Sequence, residues 1–165
     1  MRKPIPAQHE GFDTVLKAKG TTNVLALRES VWRRLHEAEI WRAALPACEN
    51  VEGSAEHGMT AEFQYHLGPI PLNLACRAAF QTRVMGSSLG VTVSGINSLT
   101  QGAVCHLDIK LEPNGVETRI VYEIVAEMNS GLLNAIGDGL SSQVSRIAAK
   151  FFDRLKASIE AGPGI

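Results

Sequence analysis

The chain has 165 residues, of which 45% are hydrophobic and 20% charged, and its net charge is −1. This length is typical of one domain that buries its core without disulfides or metals. The small net charge argues against a nucleic-acid-binding surface, and no apolar run approaches the ~20 residues of a membrane span. The odd number of widely spaced cysteines, Cys48, Cys76 and Cys105, indicates reduced thiols and a cytoplasmic protein.

The first third of the chain predicts a leader, a strand and two short helices. Residues 1–10 lack the apolar segment of a secretion signal, and we expect a flexible leader there. A strand is predicted over residues 12–21. Apolar residues then recur at helical spacing over 24–45, with a break near Glu37–Glu39 that predicts two helices. Pro46 ends this segment, because proline disfavours a helical conformation in the residue before it.

Residues 51–128 carry the alternating pattern of β-strands. Apolar and polar side chains alternate most clearly over 59–67, 72–80, 105–111 and 120–128. Turns are predicted at 86–88, 101–102 and 113–115, and Gly68–Pro71 is predicted as a loop or bulge. Together with a strand over 51–57, the pattern predicts about six antiparallel strands after the two helices.

The C-terminal segment, 130–161, predicts one long amphipathic helix. Its apolar side chains recur in steps of three and four at Leu133, Ile136, Leu140, Val144, Ile147, Phe151, Leu155 and Ile159. Such a helix can bury its apolar face only against the sheet, which predicts a single α+β domain over 11–161 and a short tail at 162–165.

The two halves of this helix differ in side-chain volume. Ala135, Gly137 and Gly139 are small, as are Ala78 and Ala126 on the facing strands, whereas Phe151 and Phe152 are bulky. Native packing density requires volume over the small residues. Either the layers approach closely there, or a cavity holds a ligand and the phenylalanines close its base.

The strand alternation and the helix stripe nominate residues that would line this cavity. The strands would contribute Phe63, Tyr65, Leu74, Cys76, Phe80, Val93, Cys105, Leu107, Tyr122 and Ile124. The helix would contribute Leu133, Ile136, Gly137, Leu140 and Val144. For any single one of these residues, ordinary core is the better explanation, and the argument for a cavity depends on the whole set. The polar groups available to a ligand would be Tyr65, Tyr122, Asn97 and Ser141.

The sequence predicts no catalytic residue and no metal site. The five histidines are scattered without metal-ligand spacing, and His66 and His106 alternate onto the outer face. The carboxylates Glu123 and Glu127 also alternate outward. Cys76 and Cys105 on the inner face would be apolar-packed thiols with raised pKa, and therefore poor nucleophiles.

Short motifs resemble those of one bacterial family. Val31-Trp32, Leu45-Pro46-Ala47-Cys48-Glu49, Leu67-Gly68-Pro69-Ile70 and the strand around Thr118-Arg119 and Tyr122 are similar to motifs of the CoxG family, named for the G-subunit of carbon monoxide dehydrogenase. That family belongs to the START/Bet v 1-like (SRPBCC) superfamily. The resemblance implies the helix-grip fold, a curved antiparallel sheet wrapped around the C-terminal helix with a hydrophobic cavity between them. In that fold Trp41 would lie near one mouth of the cavity.

The resemblance implies a non-enzymatic protein that binds a hydrophobic ligand, a lipid or a quinone, and requires no cofactor. It also implies that the protein is an accessory to a molybdenum hydroxylase of the carbon monoxide dehydrogenase type. Peripheral association with the inner face of the membrane stays open. Relatives with a membrane-directed tail continue beyond the point where this sequence ends, so we do not expect anchoring through such a tail.

Two alternatives stay open. One is a cyclase, dehydratase or hydrolase of the same fold acting on an aromatic or polyketide-like substrate, and the other is a partner-binding module with a filled core.

Overall fold

The computed structural model describes residues 13–45, 48–67, 69–96, 103–128 and 139–161, with the backbone alone described at 49, 65–67, 70–72, 74 and 139–143. The chain order of elements in these ranges is β1 (Thr14–Val24), α1 (Arg28–Arg34), α2 (Ala38–Ala44), β2 (Cys48–Ser54), β3 (Gly58–Leu67), β4 (Ile70–Val84), β5 (Ser88–Gly95), β6 (Ala103–Asn114), β7 (Glu117–Met128) and α3 (Gly139–Glu160). The strands form one curved antiparallel sheet in the order β1-β7-β6-β5-β4-β3-β2. This architecture confirms the predicted α+β helix-grip fold.

The strand faces follow the alternation in the sequence. In β6, Leu107, Ile109 and Leu111 are buried, whereas Asp108 and Lys110 between them are exposed. Successive side chains of a strand point to opposite faces, so one polar and one apolar face result. The apolar faces of all the described strands lie toward the helices.

Four predicted boundaries need correction. Ile70 and Pro71, expected in a loop or bulge, pair with Leu67 and His66 at the start of β4. Strand β1 continues to Val24 because every residue from Thr14 onward pairs with β7. Strand β2 covers Cys48–Ser54 rather than 51–57. Pro113 was expected in a turn but pairs with Thr118 inside the β6–β7 hairpin, where the φ of Gly115 is +68°. Glycine adopts that left-handed conformation without the steric cost of a side chain.

The buried face of α3 is rotated slightly from the predicted stripe. Ala148, Phe152, Leu155 and Ile159 are buried, while Ile147 is 45% exposed. These buried positions recur in steps of four, three and four, and α3 packs on β1 and α2. Residues 129–138, where the helix was predicted to begin, lie outside the described residues.

Polar contacts fix the C-terminal end of α3 against the end of β1. Lys156 Nζ donates to the Asn23 carbonyl at 2.8 Å, and Glu160 accepts from the Leu25 amide at 2.7 Å. Lys156 and Glu160 also pair with each other at 2.7 Å. The hydrogen bond from Lys156, followed by that from the Leu25 amide, lowers the pKa of the Glu160 carboxyl. These contacts set the position of the helix over the sheet.

The two short helices are held by buried hydrogen bonds. Trp41 Nε1 donates to the Leu35 carbonyl at 2.8 Å, which joins α2 to the end of α1. Thr118, fully buried in β7, donates to the Ala26 carbonyl at 2.7 Å just before α1. Both bonds satisfy groups that would otherwise be buried without partners. The indole of Trp41 is thereby oriented toward the space between α3 and the sheet.

Candidate functional site

A cavity of about 560 Å³ lies between the inner face of the sheet, α2 and the first described turns of α3. The sheet contributes Leu16, Val51, Met59, Ala61, Phe63, Cys76, Ala78, Phe80, Val91, Val93, Cys105, Leu107, Ile124, Ala126 and Met128. The helices and Leu45, which follows α2, contribute the rest of the lining: Trp41, Leu45, Val144, Ile147, Ala148, Lys150, Phe151 and Arg154. Ala61, Ala78 and Ala126 have small side chains in this lining, so of the two alternatives left open by the sequence the structure shows the cavity.

Many residues nominated from the sequence lie in this lining. They are Trp41, Phe63, Cys76, Phe80, Val93, Cys105, Leu107, Ile124 and Val144. The strand positions were found because alternation places every second residue on the inner face. Their role in binding a ligand stays a prediction.

Other nominated residues lie elsewhere or outside the described part. Tyr122 is on the inner face, but its ring stacks on Phe152 below the cavity and is absent from the described lining. The side chains of Tyr65, Leu74, Leu140 and Ser141 are not described, and Leu133, Ile136, Gly137 and Asn97 lie outside the described residues.

Aromatic rings form one wall and the base of the cavity. Trp41 stacks on Phe151 with ring centroids 5.7 Å apart and meets the edge of Phe80, also at 5.7 Å. Phe151 contacts Phe152 nearly at right angles, at 5.0 Å. Offset-stacked and edge-to-face pairs are the favoured aromatic geometries. Of the two phenylalanines predicted to close the base, Phe152 lies in the packed core, whereas Phe151 is part of the cavity wall.

Two thiols are the polar groups of the sheet side. Burial, with a smaller contribution from Cys76, raises the pKa of Cys105 to about 11. Burial likewise raises the pKa of Cys76, with a smaller effect from Cys48. The neutral thiol is therefore the favoured form, in agreement with the expected raised pKa, and the poor nucleophilicity of these cysteines stays a prediction.

The cavity meets solvent beside α3. Ile147, Lys150 and Arg154 line the cavity and yet are exposed. Their spacing of three and four places them on one side of the helix. The two cations could not be nominated from the sequence, because the apolar stripe marks the buried face and does not indicate which long side chains lie at its margin.

Outside the cavity, the described residues show little that suggests catalysis. His106 Nε2 lies 3.7 Å from Glu127 on the outer face, where both were predicted. Within the described ranges, no group of three potential metal ligands comes together. None of the described helices is long and apolar enough to cross a membrane.

Solved structures with the same fold define the class of protein. A conserved protein from Geobacillus kaustophilus matches with a TM-score of 0.72 at 19% identity, covering 88% of this chain and 96% of that one. A protein from Thermus thermophilus matches at 0.61 and 13%, covering 89% and 99%. Norcoclaurine synthase from Thalictrum flavum matches at 0.61 and 14%, covering 94% and 92%. At these identities the likeness establishes the fold, which is Bet v 1-like.

The family follows from the sequence match. Residues 20–160 match the family model of the carbon monoxide dehydrogenase G-subunit (CoxG), and the chain belongs to that family. No curated protein matches the chain. The resemblance first seen in short motifs is thus confirmed over most of the domain.

Proposed function

We propose that this protein binds a hydrophobic small molecule, a lipid or a quinone-like compound, in the cavity under α3. The observation that carries the proposal is a space of about 560 Å³ walled almost entirely by apolar side chains. Protein interiors are packed to crystal-like density with few voids larger than a water molecule. Ligand sites typically measure roughly 300–1,000 Å³ and have mainly apolar walls.

The energetics favour an apolar cargo over water. Water at an apolar wall finds few hydrogen-bond partners, and its displacement by an apolar group is favourable. Each methylene of a ligand transferred from water to this lining would contribute about 0.8 kcal/mol. The two thiols on the sheet side are weak hydrogen-bonding groups, so they would impose little selectivity for a polar head group.

Binding without catalysis is the function that the lining supports best. An acid–base enzyme needs a titratable group within hydrogen-bond reach of the reacting atom. The described lining contributes two thiols held neutral and two cations at the margin of α3. The fold likeness to norcoclaurine synthase, at 14% identity, supplies no residue role for this chain.

Membership of the CoxG family suggests the context of this binding. We infer that the protein is an accessory to a molybdenum hydroxylase of the carbon monoxide dehydrogenase type. Its cargo would be a lipid-soluble compound used at the membrane. Copurification of the tagged protein with dehydrogenase subunits from its native host would support this context, and its absence at near-stoichiometric expression would contradict it.

Mass spectrometry of the natively purified protein tests the binding function. Organic extraction of the folded protein is expected to release one hydrophobic compound at near-stoichiometric amount. The matched control is Ala78→Phe, whose ring would occupy the cavity. An extract with no compound enriched over the variant, combined with failure to bind added lipids or quinones, would refute the proposal.

A further inference from the structure

The cavity has a charged margin that the proposed function does not use. Lys150 and Arg154 line the cavity, lie one helical turn apart on α3 and are both exposed. Arg154 also borders a shallow depression with Ala43 and Ser158, between α2 and α3. The two cations therefore stand where the apolar space opens to solvent.

Two cations near this margin have acidic partners. Arg42 pairs with Glu39 at 3.6 Å, and Lys156 pairs with Glu160 at 2.7 Å. No carboxylate of the described residues forms an ion pair with Lys150 or Arg154. Lys150 and Arg154 therefore place two positive charges outside any ion pair of the described residues next to a hydrophobic space, with exposed Asp153 between them in the sequence of α3.

We propose that the ligand is an anionic amphiphile, whose apolar chain fills the cavity and whose carboxylate or phosphate is held by Lys150 and Arg154. This inference rests on the proposed function and specifies its ligand class. Arginine offers two parallel donors to either oxyanion, and lysine adds a point charge one turn away. A ligand in this pose would leave its head group at the surface, so that the anion keeps most of its hydration.

The expected gain from the charges is moderate because the site is wet. Exposed ion pairs contribute modestly, and two of them together predict roughly 3- to 10-fold tighter binding of the anion than of a neutral analogue. The advantage should decrease at about 0.5 M salt, where the screening length falls to about 4 Å. A neutral ligand should show no such salt dependence.

Three probes with the same ten-carbon chain separate the possibilities. Decanoate, decyl phosphate and 1-decanol would be titrated into the full-length protein at neutral pH, at low and high salt. Tighter binding of decanoate than of decyl phosphate indicates a fatty-acid-like head, and the reverse order indicates a phosphate head. Either order supports the proposal when both anions bind more tightly than 1-decanol.

Matched variants assign the preference to the two cations. Lys150→Gln with Arg154→Gln is expected to remove most of the anion preference, so that both anions lose more affinity than 1-decanol does. Arg146→Gln is the control, because Arg146 is exposed on the same helix and is not part of the described lining. Equal thermal midpoints of the three proteins would show that the fold is retained.

The outcomes distinguish failure of the anionic-ligand proposal from failure of the proposed hydrophobic binding site. If 1-decanol binds as tightly as the anions in the unmodified protein, the anionic head is refuted and the hydrophobic site stands. If Arg146→Gln lowers the preference as much as the double variant, the placing of the head group at Lys150 and Arg154 is refuted. If none of the three probes binds, the hydrophobic site itself is refuted.

Discussion

The ring of Tyr122 lies flat on the ring of Phe152, with centroids 3.8 Å apart and 8° between the planes. This stack joins β7 to α3 directly below the cavity. Phe152 is 1% exposed, and Leu155 and Ile159 continue the packed core toward the end of the helix. The stack therefore divides α3 into a packed C-terminal half and a preceding stretch that borders open space.

Phe152→Ala is expected to destabilise the fold strongly. Removing a buried phenylalanine costs about 3–5 kcal/mol, through lost burial and a residual cavity. Phe151→Ala should cost less, since Phe151 is half-buried and already faces the cavity. Chemical denaturation of both variants measures the difference, and equal losses would contradict the division of the helix.

Gly20→Ala is expected to disturb the same stack from the opposite strand. Gly20 pairs with Tyr122, and a Cβ added there would lie 2.5 Å from the tyrosine oxygen. The ring must shift, at a cost of about 1–3 kcal/mol, as is typical of overpacking. Adding Tyr122→Phe, which removes the oxygen, should recover part of the loss. Recovery of none would show that the clash is not the cause.

Trp41 should report ligand entry through its fluorescence. Its indole lines the cavity and is 7% exposed, whereas Trp32 packs at the edge of the core beside His36, at 5.0 Å. In Trp32→Phe, titration with an apolar ligand is expected to change the emission of Trp41. In Trp41→Phe, the remaining Trp32 should not respond. A response of Trp32 equal to that of Trp41 would point to a general rearrangement instead of cavity binding.

The thiol of Cys105 should be alkylated slowly at mildly alkaline pH. With a pKa raised from 9.0 to about 11, its thiolate fraction at about pH 8 is roughly 100-fold below that of an ordinary thiol. Alkylation by iodoacetamide would be followed in Cys48→Ser with Cys76→Ser, folded and in denaturant. Equal rates in the two states would contradict the raised pKa.

The same thiol makes stability depend on pH in a defined direction. A folded-state pKa above the unfolded value means that the folded state holds the proton more tightly. The resulting stabilisation is complete below pH 9.0 and is lost as the pH rises through about 11. Cys105→Ala should therefore lose less stability over this window than the unmodified protein.

Most of the fold could be predicted from the spacing of apolar residues along the sequence. Alternation predicted the inner faces of β3 to β7, because every second side chain of a strand must face the helices. Steps of three and four predicted α3, although the buried face is centred on Ala148 and Phe152 instead of Ile147. A stripe read from apolar residues overlooks buried alanines, since their small side chains add little to the pattern.

The cavity lining could be predicted only in part. Small residues on facing surfaces indicated missing volume. The same pattern occurs in any filled core in which bulky side chains pack against small ones. Leu16 and Met128 were missed because alternation in β1 is imperfect and Met128 stands at the end of its strand. Lys150 and Arg154 could not be found from hydropathy, because their position at the mouth depends on how α3 lies on α2.

Equilibrium binding of 1-decanol to two phenylalanine variants tests the central claim most directly. Ala78 lines the cavity, while its neighbour Ala79 is exposed on the outer face of the same strand. Ala78→Phe should occupy part of the cavity and weaken binding by about 10-fold or more, which corresponds to about 1.4 kcal/mol. Ala79→Phe should bind like the unmodified protein. Equal affinities for both variants, with unchanged thermal midpoints, would show that the cavity is not the binding site.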